Sequence, residues 1–168
     1  KVRDEGNVRL SKSLAGGSLM DVGCYCVNVM RHMIDDEPYR VEAIGIVGDE
    51  TGVDETLTGV LAFPGGILAH FDSSLRTYRT HCYDIRGTEG RIRVDSAFVP
   101  NPDEETTIQY WHGDDYEQIK IAPANHYRLM VEDFADAILN DRPPRFSAQD
   151  GVENMRVIDR LLSSVNRS

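Results

Sequence analysis

Residues 55–67 run Glu55-Thr56-Leu57-Thr58-Gly59-Val60-Leu61-Ala62-Phe63-Pro64-Gly65-Gly66-Ile67. Leu57, Leu61 and Phe63 alternate with Thr56, Thr58, Val60 and Ala62. A period of two sends successive side chains to opposite faces of a strand, so this stretch has one apolar face and one of small and β-branched residues. Pro64-Gly65-Gly66 is turn chemistry, and Ile67 to Leu75 returns as a hairpin partner.

On either side of this hairpin the pattern repeats. Val41 to Val47 reads as a preceding strand. Tyr78 to Ile85, Arg91 to Val94, Thr107 to Trp111 and Tyr116 to Ile121 read as later ones. Arg86-Gly87-Thr88-Glu89-Gly90 and His112-Gly113-Asp114-Asp115 make short links, and a polar loop with Pro100 and Pro102 makes a longer one. Seven strands with such links favour one large, mostly antiparallel sheet. The strict alternation of strand and helix that a parallel nucleotide-binding sheet needs is absent. The glycines at 87 and 90 therefore belong to a turn between strands rather than to a phosphate cradle.

Helical patterns flank the strands. Gly16-Gly17-Ser18 to about Ile34 has apolar residues on nearly every side, which predicts burial between two layers, and Asp35-Asp36-Glu37-Pro38 stops it. The first fifteen or so residues show no clear periodicity and read as an extended lead-in. Asn125 can cap a helix over Tyr127 to Leu139, which Asn140-Asp141-Arg142-Pro143-Pro144 breaks. Ser147 can cap Ala148 to about Val165, with Val152, Met155, Ile158, Leu161 and Leu162 as its packed stripe. The expected architecture is α+β: a large open, mostly antiparallel sheet with helices packed on one face. Its other face is either solvated or stacked on a copy across a two-fold axis.

Composition narrows the function. The chain has 168 residues, 40% hydrophobic and 27% charged, with 14 Gly and 7 Pro, which suits one globular domain or two small ones and excludes disordered, collagenous and disulfide-scaffold classes. No apolar run approaches the ~20 residues of a membrane span. Eighteen basic residues against 28 acidic ones give −10, which argues against a nucleic-acid backbone as ligand. Lys1, Lys12 and Lys120 are the lysines, and all other cations are arginines. A lysine-poor, acidic surface fits a cytoplasm with molar salt, and also an acidic protein from a GC-rich genome. Cys24, Cys26 and Cys82 have no metal-ligand spacing and are expected as buried free thiols in a reducing cytoplasm. The opening Lys1-Val2-Arg3-Asp4-Glu5 reads as the interior of a longer protein.

Asp21 and Tyr25 are the first candidates for chemistry. Spaced i and i+4 on an otherwise apolar helix, they share a face about one turn apart. Gly16 and Gly17 precede them, where a missing side chain would let a ligand approach the helix N-terminus. The same residues also fit a structural role, the Asp favoured by the helix dipole and the Tyr as core filling. His32 suits the dipole at the helix end. His70 and His81 lie in strands without a metal-ligand set, and His112 lies in a turn. His126 starts a helix and is a candidate substrate contact. Tyr110 and Trp111 serve either strand-face packing or sugar stacking.

Several segments together resemble a known family. Asn7-Val8-Arg9-Leu10 followed by Gly16-Gly17-Ser18-Leu19-Met20-Asp21-Val22-Gly23-Cys24-Tyr25-Cys26-Val27-Asn28 resembles the start of the C-terminal domain of the glucose–fructose oxidoreductase/inositol dehydrogenase (Gfo/Idh/MocA) family. The nearest branch holds glucose–fructose oxidoreductase, NADP-dependent xylose dehydrogenase and dimeric dihydrodiol dehydrogenase. Arg86-Gly87-Thr88-Glu89-Gly90-Arg91-Ile92 is similar to the family's strand–turn–strand signature. Tyr127 with Met130-Val131-Glu132-Asp133-Phe134 resembles its penultimate helix, and Asp150-Gly151-Val152-Glu153-Asn154-Met155-Arg156-Val157-Ile158-Asp159 its last.

The resemblance implies a single C-terminal substrate-binding and oligomerisation domain over residues 1–168, with the open sheet of the dihydrodipicolinate-reductase-like and GAPDH-like C-terminal domains. It implies an N-terminal Rossmann partner that binds NADP or NAD, a sugar or polyol substrate, and a homodimer or homotetramer. Hydride would pass between nicotinamide and a carbinol. Residue by residue, it places Asp21 and Tyr25 in the catalytic set, to be joined by a Lys from an E-K-P motif in the Rossmann domain. Asn28, one turn on, becomes a substrate contact, and Gly16 and Gly17 lie on the cofactor side. No metal is implied. The chain departs from the whole-protein pattern in having no G-x-G-x-x-G after a strand and no E-K-P. Alone, it is expected neither to bind the dinucleotide well nor to turn over. The rival expectation is a non-catalytic assembly domain of the same fold.

Overall fold

The alternation at 55–63 is realised as a ten-residue strand in the computed structural model, which describes residues 6–165. Strands β1 (Arg40–Val47), β2 (Asp54–Phe63) and β3 (Ile67–Ser74) pair antiparallel in that order, with Leu61 opposite Val41 on one side and Ala69 on the other. Leu57, Leu61 and Phe63 are fully buried, while Thr58 and Val60 on the alternate face are exposed. The expected division of faces holds residue for residue along β2.

Two helices cover the buried face. A π-helical turn (Leu19–Gly23) leads into α1 (Cys24–Ile34), which ends where Asp35 adopts a left-handed conformation, φ 58°, and its N–H donates to the Arg31 carbonyl at 2.8 Å. Helix α3 (Ala148–Val165) buries Val157, Ile158, Leu161 and Val165, and the Ala43 N–H of β1 donates to Ser164 Oγ at 2.8 Å. Val152 and Met155, expected on its packed stripe, remain exposed: the C-terminal half of α3, not its first turns, lies over β1. Helix α1 is not enclosed by two layers in this chain either. It buries Val27 and Arg31 and leaves Tyr25 and Met33 exposed, as is Val22 in the turn before it. Residues 1–5 of the expected lead-in lie outside the described residues, and the part from Gly6 on is not extended. Asn7 Oδ1 accepts the Arg9 N–H to start a 3-10 turn over Val8–Leu10, and a second follows at Lys12–Leu14.

These elements form one compact unit, made of residues up to Tyr78 together with those from Ala148 onward; Arg79–Ser147 form another. In the second unit β4 (Tyr83–Arg86), β5 (Gly90–Val94), β6 (Thr106–His112) and β7 (Asp115–Ile121) make an antiparallel sheet in sequence order. Helix α2 (His126–Leu139) follows, capped by Asn125 Oδ1, which accepts the Arg128 N–H at 3.0 Å.

The fold class is as expected, open antiparallel sheet with helices on one face. The seven strands are hydrogen-bonded as sheets of three and four, however, rather than as one continuous ladder. The strand expected from Tyr78 begins only at Tyr83, because its partner β5 ends at Val94 and the chain beyond it leaves the ladder. Of the cysteines, all free, Cys24 and Cys26 are half-buried, whereas Cys82 is exposed, against the expectation of three buried thiols. Among the described residues no helix is long and apolar enough to cross a membrane.

Candidate active site

Glycine geometry sets up the region around Asp21. Gly17 has φ 123°, where side chains are strained, and a Cβ there would lie 2.1 Å from Asp54 Oδ1. A Cβ on Gly16 would lie 2.5 Å from the Arg9 carbonyl oxygen. With both side chains absent, the chain folds back on itself and the Gly17 N–H donates to the Arg9 carbonyl at 2.8 Å. Asp54, buried at the start of β2, then receives the Leu19 N–H at 2.7 Å and the Ser18 hydroxyl at 2.8 Å. This carboxylate satisfies donors that the first turn of a helix otherwise leaves unpaired.

The fold-back carries Arg9 to Asp21: Arg9 Nε lies 2.8 Å from Asp21 Oδ2. Asp21 sits inside the π-helical turn, where the Cys24 N–H reaches the Leu19 carbonyl, one residue further back than in an α-helix. The wider turn separates Asp21 and Tyr25 differently from ideal i, i+4 neighbours but keeps both near the start of α1. Tyr25 is 53% exposed and the Asp21 side chain 24%. Such π turns are frequent at functional sites. Cys24 lies between them and is half-buried. Burial pushes its thiol up, the Asp21 carboxylate adds to this, and the backbone hydrogen bond from Tyr25 only partly opposes it.

The far end of α1 is fixed by Arg31, only 6% exposed. Its Nε donates to Glu37 Oε2 at 2.9 Å and its Nη1 to Asp150 Oδ1 at 3.0 Å, binding α1 to the start of α3. Asn154 Nδ2 donates to the Cys24 carbonyl at 3.3 Å. Asn28 Nδ2 likewise donates to Asp150 Oδ2 at 3.3 Å, so this candidate substrate contact is also part of the α1–α3 join. His126 begins α2 in the second unit, with its ring centroid 4.1 Å from that of Tyr127 and a buried Nδ1 that has no hydrogen-bond partner.

The structure thus pairs Asp21 with Arg9, leaves Tyr25 exposed in the first turn of α1, and surrounds Gly16 and Gly17 with the chain's own atoms. Sequence reasoning missed Arg9, Asp54 and Asp150 as the residues that hold this arrangement. A carboxylate opening a β-strand, as Asp54 does, was the one local signal available. At Gly16–Leu19 the Leu19 N–H is taken by Asp54 and both glycines are packed against backbone and carboxylate. The described residues contain no group of three or more His, Cys, Asp or Glu able to hold a metal ion. A surface hollow of about 330 Å³ in the same unit is lined by Arg31, His32, Asp35, Asp36, Glu37 and Asp150, not by Asp21 or Tyr25.

Comparison with known proteins adds the following. A family model described as the GFO/IDH/MocA C-terminal domain matches residues 1–93. D-xylose 1-dehydrogenase (NADP(+)) 2 of Haloferax volcanii is 34% identical over 158 residues, covering 94% of this chain and 48% of that protein. D-xylose 1-dehydrogenase (NADP(+)) of Haloarcula marismortui is 30% identical over 173 residues, covering 94% and 44%. The crystal structure of aldose-aldose oxidoreductase from Caulobacter crescentus, complexed with glycerol, superposes with a TM-score of 0.89 at 25% identity, over 99% of this chain and 51% of that one. The chain spans about half the length of the curated relatives it matches.

Proposed function

We propose that this chain, which belongs to the GFO/IDH/MocA family and matches its C-terminal domain, supplies the proton-handling side of an NADP- or NAD-dependent oxidoreductase acting on a sugar or polyol carbinol. The observation that supports this proposal is the pairing of Asp21, in the π-helical turn, with Arg9, while Tyr25 lies exposed in the first turn of α1 that follows. The relatives named as NADP(+) xylose dehydrogenases and the aldose-aldose oxidoreductase support the substrate class.

A carbinol oxidised to a carbonyl gives up its hydroxyl proton and a hydride from carbon. A nicotinamide dinucleotide, held by an N-terminal Rossmann domain, would supply the hydride exchange. Tyr25 takes the hydroxyl proton. A phenol needs a neighbouring cation to act as the base, a role given to a lysine of the Rossmann domain. Asp21, steadied by Arg9, accepts a hydrogen bond from the substrate hydroxyl or the phenol and offsets that cation. Asn28 and His126 are assigned contacts to the substrate's other hydroxyls. Gly16 and Gly17 act on the cofactor side through the loop they shape. The exposure of Tyr25 supports a site whose other wall lies outside this chain, which alone would be inactive. The whole of residues 1–168 is then the substrate and oligomerisation domain of a cytoplasmic protein.

A second reading, an assembly domain without catalysis, is favoured by the outer face of the first sheet, where Ile44, Ile46, Val60 and Leu68 are exposed. Full-length protein assayed with NADP⁺ and NAD⁺ against aldoses and polyols separates the two. Tyr25→Phe is expected to lower kcat by ~10²-fold or more with cofactor affinity unchanged. A variant as active as the wild type removes Tyr25 from the chemistry. A parent that binds no dinucleotide removes the oxidoreductase.

A further inference from the structure

The turn that carries Asp21 is held from outside its own helix. Ser18 precedes it in helical conformation, φ −69°, and its hydroxyl caps none of the turn's own N–H groups. That hydroxyl donates instead to Asp54 Oδ2 at 2.8 Å and lies 3.0 Å from Ser73 Oγ on β3. The Leu19 N–H reaches the same Oδ2 at 2.7 Å, so a carboxylate 35 residues further along the chain does the capping. Ser18, Asp54 and Ser73 are all buried. A buried carboxylate is costly unless hydrogen-bonded, so the turn and Asp54 each need the other. The far end of the turn is fixed by close contact. A Cβ on Gly23 would lie 2.8 Å from Leu19 Cδ1 and 3.0 Å from Ser73 Oγ, which sets the backbone there against β3.

Between these two anchors the chain holds one residue more than an α-helical turn, and the Cys24 N–H reaches back to the Leu19 carbonyl. Each residue of an α-helix turns the chain by about 100°, so a return to α register would rotate Asp21 by about that angle relative to α1. A rotation of that size breaks the 2.8 Å contact between Asp21 Oδ2 and Arg9 Nε. We propose that Asp54 is a positioning residue for the reaction: its cap on Leu19 holds the π register that keeps Asp21 against Arg9. This rests on the carbinol oxidoreductase reading given above. Asp54 acts through Leu19 and Asp21 rather than on the substrate. The Leu19 side chain stays in the apolar core with Val27, Leu61 and Ile158, so losing the cap changes the register of the turn without unfolding the unit.

The test uses full-length protein, with steady-state kinetics and site-resolved amide exchange measured on the same variants. Asp54→Ala is expected to lower kcat at least tenfold with both KM values within about twofold of wild type. Asp54→Asn, whose amide oxygen can face the same two donors, should stay within about threefold of the wild-type kcat. Exchange of the Leu19 amide is expected to speed at least tenfold in Asp54→Ala and to stay slow in Asp54→Asn, with α3 unchanged in both. Should Asp54→Ala fail to fold, Ser18→Ala removes one of the two donors on Oδ2 and is expected to lower kcat about threefold and to speed Leu19 exchange. Wild-type kcat in Asp54→Ala, an Asp54→Asn as slow as Asp54→Ala, or a Ser18→Ala unchanged in both readouts would each overturn the proposal. Exchange also reports separately from turnover. A wild type without turnover whose Leu19 amide responds as expected loses the oxidoreductase and keeps the capped turn. An active enzyme whose Leu19 amide ignores Asp54 loses the cap and keeps the oxidoreductase.

Discussion

Asp21 depends on a residue twelve positions earlier, and that dependence is set by two glycines between them. Because Arg9 reaches Asp21 only through the fold-back at Gly16 and Gly17, it is a positioning residue for the proposed chemistry. Arg9→Ala is expected to lower kcat by about tenfold with a change in stability under ~1 kcal/mol, since the pair is partly solvated. Arg9→Lys, retaining charge but not the guanidinium geometry, should recover part of the rate, and steady-state kinetics beside thermal melts distinguishes this from a structural role. Asp21 and Tyr25 could be picked out of the sequence because two polar residues at i and i+4 stand out on an apolar helix. Arg9 and Asp54 could not, because their partners are brought near by tertiary folding and a sequence pattern has no term for that.

Strand β2 was legible because its two faces differ in chemistry over nine residues. Helix ends with a left-handed cap or a proline cluster were equally so. The π-helical turn at Leu19–Gly23 was not, because it differs from an α-helix by a single hydrogen-bond register that residue types do not encode. Nor was the division into two sheets, since ladder length depends on the partner strand. In the second sheet Asp84 on β4 is held by Arg91 on β5, with Arg86 assisting, and its carboxyl falls from 3.8 to about 2. The folded-state value lies below the unfolded one, so the stabilisation is present above about pH 4 and is lost as pH falls through 2. Trp111, opposite Arg91 with the guanidinium 4.8 Å above its ring, is the natural reporter. Asp84→Asn should flatten the fall of the urea midpoint between pH 4 and 2 as followed by its fluorescence. Slopes equal to wild type would take Asp84 out of the acid response.

At the scale of the molecule, −10 net charge is self-repulsion that salt relieves. Tm is expected to rise between about 0.1 and 2 M KCl, and a flat or falling Tm would end the molar-salt interpretation. If the outer face of β1–β3 pairs copies, Val60→Glu should shift the full-length protein to monomer mass in sedimentation while leaving its melting point nearly unchanged, because Val60 faces away from the core. The return of α3 to β1 has one more consequence, and it concerns synthesis. Val157, Ile158, Leu161 and Val165 complete a core begun by Leu19, Val27 and Leu57, so the first unit closes only after residues 79–147 have been made. Until the last helix leaves the ribosome, the inner face of β1 is bare and the sheet is held by hairpin pairing and the contacts of the segment Ser18–Ile34 alone. The sheet that carries the candidate site must therefore wait for the end of the chain. A stop codon anywhere after Tyr78 and before α3 would leave a nascent protein exposed to chaperones and proteases, not a smaller version of this fold.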